Sequence, residues 1–436
     1  MSSPPMRNLI LDYYDRLPGV IARCVDDPAP VKDPANFSPG FLLPELDDQI
    51  RRFYGCAEAA WWKLAEGLSM LDLTRNSGTR TTKTLASLLI VARAVEYIRR
   101  TGEPVLIFSP TSANKGTALR DAVQRAYECG LVTPDQLRVA VLVPAGCRDK
   151  LRDALPTDRN PVFMYAGEQP EHVKALGRQF AVEYAASLGA NLWFSLELRN
   201  YLIADAARAF FEHDVDPTSA ARPRTHAHAV SSAFGLLGYN IGRDILEETG
   251  AAQSADRPSF LLVQHLGTPD MVINLRHGDF DRGHMPDYHR DGWLWKQDTD
   301  PHFPAVTYDP HEVLDPTFYT HQPATSPAMN DLIARFGGDG IVVSLHECLQ
   351  RYPEVAQWLS ATDRPLPADP RGVREWSIIM ALTGVANALE RGLVPPRHDI
   401  VVHGSGMYSR TDYMPLAVAD TIEVSTPEDI ARVLKA

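Results

Sequence analysis

The sequence predicts an α/β chain folded as two domains on mostly parallel sheets, and three observations carry that expectation. From residue 103 onward, short apolar runs alternate with amphipathic stretches, as in EPVLIFSP, TALRDAVQRAYECG and LRVAVLVPAG. This is the strand, helix, strand order that a parallel sheet requires. At 436 residues the chain exceeds one typical hydrophobic core, which points to more than one domain. Hydrophobic residues at 44% and charged residues at 22% suit a globular protein with a sizeable core and exclude a mostly disordered chain.

Taken in order, residues 1–75 read as an N-terminal helical layer joined to the larger domain, because segments such as ELDDQIRRFYGCAEAAWWKLAEGLSM carry helical spacing of apolar residues. The polar loop LTRNSGTRTTK then enters LASLLIVARAVEYIRR, a largely buried helix, with Lys83 at the junction. Residues 76–200 form the smaller α/β domain. There EPVLIFSP, TALRDAVQRAYECG and LRVAVLVPAG are followed by a helix at VKALGRQFAVEYAASLG, and NLWFSLELRNYLIADAARAFFEH reads as another long helix. Residues 201–436 form the larger domain: a strand, a glycine-bearing turn and a helix in THAHAVSSAFGLLGYNIGRDILEETG, then a strand in PSFLLVQHL. Residues 281–328 show little periodicity and read as a long surface segment near a cleft. The chain returns to strand at DIVVHGSGMYS and ends in the helix TPEDIARVLK, whose Thr-Pro start is a helix-entry signal.

A formal charge of -12 argues against nucleic acid and anionic membrane as partners, because a polyanion is repelled on average. The N-terminus lacks the basic start and apolar run of a secretory signal, and no later run is long enough to span a bilayer, so the expected location is the cytoplasm. Five scattered cysteines, Cys24, Cys56, Cys129, Cys147 and Cys348, contain no CxxC pair and suggest reduced structural thiols.

Chemistry is expected at three loops and one lysine. A lysine at a helix start lies at the positive end of the helix dipole, which disfavours the ammonium and favours a nucleophilic amine; Lys83 meets that condition. Solvent exposure is the commoner state of such a lysine. The loop TSANKG, residues 111–116, follows a strand and opens a helix, offering amide groups and Asn114 to an anion or ring oxygen. In SSAFGLLGYNIG, residues 231–242, Gly235, Gly238 and Gly242 would allow close backbone approach to a phosphate. HGSG, residues 403–406, is a sharp turn after an apolar run, and the Ser405 hydroxyl could meet a ring nitrogen. Two further clusters stand apart. Asp281, His284, Asp287 and His289 have metal-ligating side chains, yet His and Asp in an irregular loop usually face water or line a pocket, so no metal is assigned. His226 and His228 share a strand face and read as hydrogen-bonded structural histidines.

The order of these signals resembles the fold-type-II pyridoxal-phosphate enzymes, the tryptophan synthase beta-like architecture, and within them the threonine-synthase-like family. The lysine comes first, and Ser112, Asn114 and Gly116 then match a Ser-x-Asn-x-Gly loop. The SSAFGLLG loop lies where a phosphate loop is placed, FLLVQHLGTPDMVINLRHGDF is similar to a family strand and turn, ATSPAMN is similar to Ser-Pro-Ala-Met-Asp, and VVHGSG is similar to the strand and turn that meet the cofactor ring. The resemblance covers roughly residues 70–415. It implies pyridoxal 5'-phosphate in a cleft between two domains, held as a Schiff base by Lys83, which is also the catalytic base. Ser112 and Asn114 would contact the cofactor. Ser232, Gly235, Leu236 and Gly238 would hold its phosphate, and Ser405 its ring nitrogen. Ser326 and Asn330 would be cleft residues by resemblance alone.

Thr82, Lys83 and Thr84 depart from the family's Phe-Lys-Asp, and the phosphate loop lacks Pro-x-Gly-Asn. The implied reaction is therefore a class: elimination or replacement at the β or γ carbon of an amino acid carrying a leaving group, phosphate among the candidates. A neutral hydroxyl at the ring nitrogen makes the ring a weaker electron sink and favours prompt expulsion of that group. Alternatives are β-replacement or β-elimination on a serine- or threonine-derived substrate, and a non-catalytic binding protein that keeps the fold. The expected partner is a small amino acid, and the resemblance also suggests a homodimer.

Overall fold

The computed structural model describes residues 3–167, 169, 172–195 and 197–435. The chain is mixed α/β and divides into two compact units. One comprises the residues up to Arg7, Ala59–Arg75 and Asp205–Thr411; the other comprises Asn8–Glu58, Asn76–Ala204 and the residues from Asp412 on. They are called below the Ser405 unit and the Lys83 unit.

The Ser405 unit holds a seven-stranded sheet, in the order Met6–Asn8, Glu58–Ala65, Leu68–Asp72, Asp399–Gly404, Arg224–Ala229, Ser259–His265, Gly338–Val343. From Leu68–Asp72 onward every neighbouring pair is parallel. The helix Ser377–Glu390 lies against the sheet and is buried along nearly its whole length, which is why its sequence, SIIMALTGVANALE, has no polar face. Gly384 permits this close approach, since a Cβ there would lie 2.7 Å from both methyl carbons of Val263. Residues from the helix and the strands form one apolar core that includes Leu261, Val263, Ile341, Ile379, Leu382 and Val402. Residues 281–328 are mostly irregular, as expected, with a small antiparallel sheet of His289–Asp291, Leu294–Lys296 and Val306–Thr307.

The Lys83 unit holds a five-stranded parallel sheet in the order Ile422–Val424, Val162–Tyr165, Leu137–Pro144, Val105–Pro110, Asn191–Phe194. Its core joins Leu106, Phe108, Leu142 and Phe163 of the sheet to Val173 and Phe180 of the helix His172–Tyr184 and Ile430 of the helix Pro427–Leu434. No helix among the described residues is long and apolar enough to cross a membrane.

Two expected helices are corrected. Of the N-terminal helical layer, Leu17–Cys24 and Asp48–Tyr54 are helical, but Glu58–Ala65 and Leu68–Asp72 form an antiparallel hairpin about a turn containing Gly67 at φ +68. Both strands are so extensively buried that their apolar residues show no two-residue alternation, and periodicity cannot separate such a strand from a buried helix. The expected long helix from Asn191 begins instead as the strand Asn191–Phe194 and resumes as two helices, Arg199–Asp205 and Ala207–Val215; Leu196 lies outside the described residues. Pairing with Val105–Pro110 decides the strand, a tertiary contact that local propensity does not report.

Candidate functional site

In open α/β sheets, ligands gather at the carboxyl ends of strands where the strand order reverses. Both units contain such a point. In the Lys83 unit, connections from Val105–Pro110 run one way to Leu137–Pro144, while Asn191–Phe194 lies on its other side. The reversal is thus bounded by the loop 111–113 and by Ser195. In the Ser405 unit, Arg224–Ala229 leads one way to Ser259–His265, and Asp399–Gly404 lies on the other side. That reversal is bounded by the loop 230–233 and by Ser405.

Three of the four non-glycine residues with positive φ among the described residues fall in the loops singled out from sequence: Arg80 at 52°, Ala113 at 84° and Ala233 at 50°. Ala113 and Ala233 each immediately precede a helix, Asn114–Glu128 and Phe234–Glu248. A side chain in such a conformation costs about 1–3 kcal/mol, and strain of this kind collects at functional loops.

Lys83 is the first residue of the helix Lys83–Thr101 and is half-buried. Its loop is knitted by buried threonines. Thr84 Oγ1 donates to the carbonyl of Thr81 at 2.8 Å and lies 2.5 Å from Thr79 Oγ1, while the Asn76 side chain accepts from the Gly78 amide at 2.9 Å. The Thr-Lys-Thr setting therefore builds the wall of the loop. Lys83 Nζ lies over the ring of Tyr201, 5.2 Å from its centroid.

The second loop brings Ser112, half-buried, and Asn114, buried, to the helix start. Sequence reasoning missed its next residue as a participant. Lys115 is buried, donates to the carbonyl of Ser195 across the strand reversal, and places Nζ 5.9 Å from the centroid of the same Tyr201 ring. Burial, with Lys83 and Lys174 nearby, lowers its pKa to about 7.

In the Ser405 unit, Ser232 precedes the helix Phe234–Glu248, and Gly235, Leu236 and Gly238 are buried within its first turns. The expected glycine-bearing turn is corrected here: these glycines, with Gly242, are helical. At Gly242 a Cβ would lie 2.2 Å from the carbonyl oxygen of Ala206, so this glycine serves helix packing. At Gly235 a Cβ would lie 2.5 Å from Arg208 Nη1, so the bare backbone leaves a buried guanidinium against the helix start. A second polar group lies beside this loop: Thr325 Oγ1 donates to the Ser232 carbonyl at 2.7 Å, and the adjoining Ser326 Oγ, fully buried at the start of Ser326–Phe336, has no partner among the described residues. Asn330 of that helix binds Asn274 instead.

Arg208 is held by a buried chain of groups drawn from distant parts of the sequence. It pairs with Asp205 at 2.7 Å and donates from Nη1 to His403 Nδ1 at 3.0 Å. That donation leaves the His403 proton on Nε2, which meets His226 Nδ1 at 2.8 Å; His226 Nε2 in turn donates to Glu212 at 3.0 Å. Tyr239 donates to Glu212 at 2.5 Å, and Arg224 pairs with the same carboxylate. Burial drives both histidines to the neutral form, well below the usual range for His403. Burial alone would raise Glu212, but the hydrogen-bonding His226, Arg224 and Tyr239 outweigh it and hold the carboxyl at about 2. His226 is thus a hydrogen-bonded structural histidine, as the sequence suggested; His228 is buried with its ring centroid 5.4 Å from that of His403.

Ser405 is buried in the turn after Asp399–Gly404, and the Gly406 that follows sits against Glu375, where a Cβ would lie 2.7 Å from Cγ. In the irregular segment, the Asp281 side chain accepts from the Gly283 amide, and His284 stacks on His277 and pairs with Asp279 at 3.2 Å. Among the described residues, no group of three or more His, Cys, Asp or Glu side chains is arranged to hold a metal ion.

Solved structures share this architecture at low sequence identity. Threonine synthase from Escherichia coli aligns with a TM-score of 0.61 at 12% identity, over 98% of this chain and 89% of that one. A pyridoxal-phosphate-bound threonine synthase from Brucella melitensis aligns with a TM-score of 0.52 at 12% identity, over 88% and 83%. A pyridoxal 5'-phosphate-dependent aspartate racemase aligns at 0.50 and 12%, over 86% and 99%. At this identity the likeness establishes the two-domain fold. No curated protein matches the sequence. Residues 5–436 match the family described as a family of unknown function, DUF6002, and the chain belongs to that family.

Proposed function

We propose that the protein is a pyridoxal 5'-phosphate-dependent enzyme that eliminates or replaces a group on the β or γ carbon of an amino acid. The observation that supports it best is the coincidence of each loop with a strand-order reversal in its own unit, in a fold that structures of pyridoxal-phosphate enzymes share. The residues fit the cofactor. Support for a phosphate at the start of Phe234–Glu248 comes from Gly235, which leaves Arg208 against the backbone, and from the buried Ser326 hydroxyl, which is unsatisfied among the described residues. Lys83 would carry the cofactor covalently, with Ser112 and Asn114 contacting its ring substituents. The amides of Ser232, Gly235, Leu236 and Gly238 would hold its phosphate, and Ser405 its ring nitrogen.

When bound, the cofactor supplies an electron sink for the substrate α-carbon. Lys83, as a neutral amine, would take the α-proton at Nζ. The Tyr201 ring lies beside that amine, 5.2 Å from Nζ to the ring centroid. The buried threonines around Lys83 hold the helix start rigid, so the amine stays within reach of one carbon.

The test is direct. Purified protein with added pyridoxal phosphate is expected to gain visible absorbance, and borohydride reduction followed by peptide mass spectrometry is expected to place the adduct on Lys83. A colourless protein with no adduct favours a binding protein that keeps the fold; an adduct on Lys115 would reassign the attachment site.

A further inference from the structure

Only eight of the 436 residues are lysines, and two of them, Lys83 and Lys174, lie close enough in the Lys83 unit to act on a third, Lys115. Lys83 lies on the helix Lys83–Thr101, Lys115 on Asn114–Glu128 and Lys174 on His172–Tyr184. The facing residues are Tyr201, whose ring is shared by Lys83 and Lys115, and Glu197, which pairs with Arg93 at 2.9 Å and Arg199 at 2.7 Å. Lys115 thus has no carboxylate within ion-pair distance among the described residues, and its hydrogen bond goes to the neutral carbonyl of Ser195. A buried lysine without an ion-pair partner is costly to a fold, and structural lysines are almost never placed so; Glu197 acts on it only at longer range. Its place at the same aromatic ring as the proposed attachment lysine argues for work that an amine does.

We propose that Lys115 is the general acid of the reaction, giving its proton to the group that leaves the substrate while Lys83 takes the proton from the α-carbon. This rests on the cofactor reading above. In β-elimination the Cα–H pair becomes the new double bond, the bond to the leaving group breaks with its electrons on that group, and a proton from Lys115 Nζ completes the departing molecule. Lys115 is left as a neutral amine that must be re-protonated before the next turnover. Expelling a hydroxyl needs a base and an acid at once, and two amines at one aromatic ring supply both without asking one lysine to hold two protonation states. An amine titrating near 7 is suited to the acid role, because both forms are populated at neutral pH. The inference also defines a substrate class: the leaving group is one that needs a proton, a hydroxyl or a thiol.

The experiment compares serine, whose hydroxyl must be protonated, with β-chloroalanine, whose chloride needs no acid, using cofactor-loaded wild type, Lys115→Met and Lys115→Arg. The expected result is a loss of about 10²-fold or more in kcat on serine for both variants, with β-chloroalanine turnover kept within a few fold. Retained chloroalanine turnover also shows that the variants fold. Rescue of serine turnover by Lys115→Arg, equal losses on both substrates, no loss on either, or a wild type that uses chloroalanine and not serine would each overturn the proposal. A readout free of turnover is carbon NMR of ε-labelled lysines in cofactor-free protein, where the Lys115 resonance is expected to titrate near pH 7 and to move upward in Lys83→Met. A Lys115 that titrates with the ordinary lysines overturns the assignment. Failure to bind cofactor at Lys83, alongside a Lys115 that still titrates near 7, overturns the cofactor reading and the proposal resting on it.

Discussion

Replacing Gly235 with alanine tests where the phosphate is held. The added methyl would stand 2.5 Å from Nη1, 2.6 Å from Nη2 and 2.7 Å from Cζ of Arg208, far inside van der Waals contact. A guanidinium on a flexible stem would normally swing away, but Arg208 is fully buried, paired with Asp205 and donating to His403. Either the helix start shifts or the chain of buried groups is disturbed, and overpacking of this kind costs about 1–3 kcal/mol. If the helix start shifts, the amides move off the phosphate, and at about 1.4 kcal/mol per factor of ten the loss of one such contact, about 1.5–3 kcal/mol for a charged acceptor, lowers affinity by roughly tenfold or more. The assay is a spectroscopic titration of Gly235→Ala and wild type with pyridoxal phosphate and with pyridoxal, which lacks the phosphate. Affinity for the phosphorylated compound is expected to fall by about tenfold or more, while affinity for pyridoxal stays the same. Equal affinity of the two proteins for pyridoxal phosphate, or an equal loss for both compounds, would refute the placement of the phosphate at this helix.

Three further predictions concern stability. The folded-state pKa of Glu212 lies below its ordinary value, so its contribution is present above the ordinary carboxyl pKa and is lost as pH falls from 4.5 towards about 2. Glu212→Gln should flatten the acid limb of stability against pH in that window by up to a few kcal/mol, read from urea midpoints; a limb as steep as wild type would refute the account. Thr426→Ala removes the two bonds that the Thr426 hydroxyl makes with Asp429 at the start of Pro427–Leu434 and leaves the bond from its backbone amide to the Asp429 carboxylate, and an equilibrium unfolding curve should show a loss of about 1 kcal/mol. Gly384→Ala forces a methyl to within 2.7 Å of Val263 in the Ser405-unit core, and unfolding should show a loss of about 1–3 kcal/mol; unchanged stability would mean that the helix Ser377–Glu390 can move off the sheet.

What the sequence determined by itself was whatever depends on local order. The alternation from residue 103 set strand, helix and strand at Val105–Pro110, Asn114–Glu128 and Leu137–Pro144. The polar loops placed Lys83, Asn114 and Ser232 at or just before helix starts, and DIVVHGSG gave the strand ending beside Ser405. These readings hold because a strand's end and a helix's entry are written in neighbouring residues. The sequence misled where burial erased the period: Glu58–Ala65, Leu68–Asp72 and Asn191–Phe194 are strands because other strands pair with them.

Only the tertiary structure decided the electrostatics. Arg208, Glu212, His226 and His403 come from separate segments, and no spacing in the chain marks them as a hydrogen-bonded line beneath Gly235. Lys115 read as one polar residue in a polar loop. Its amine is shifted because helix packing closes water out and brings Lys83 and Lys174 close, and desolvation and proximity are properties of the folded chain alone.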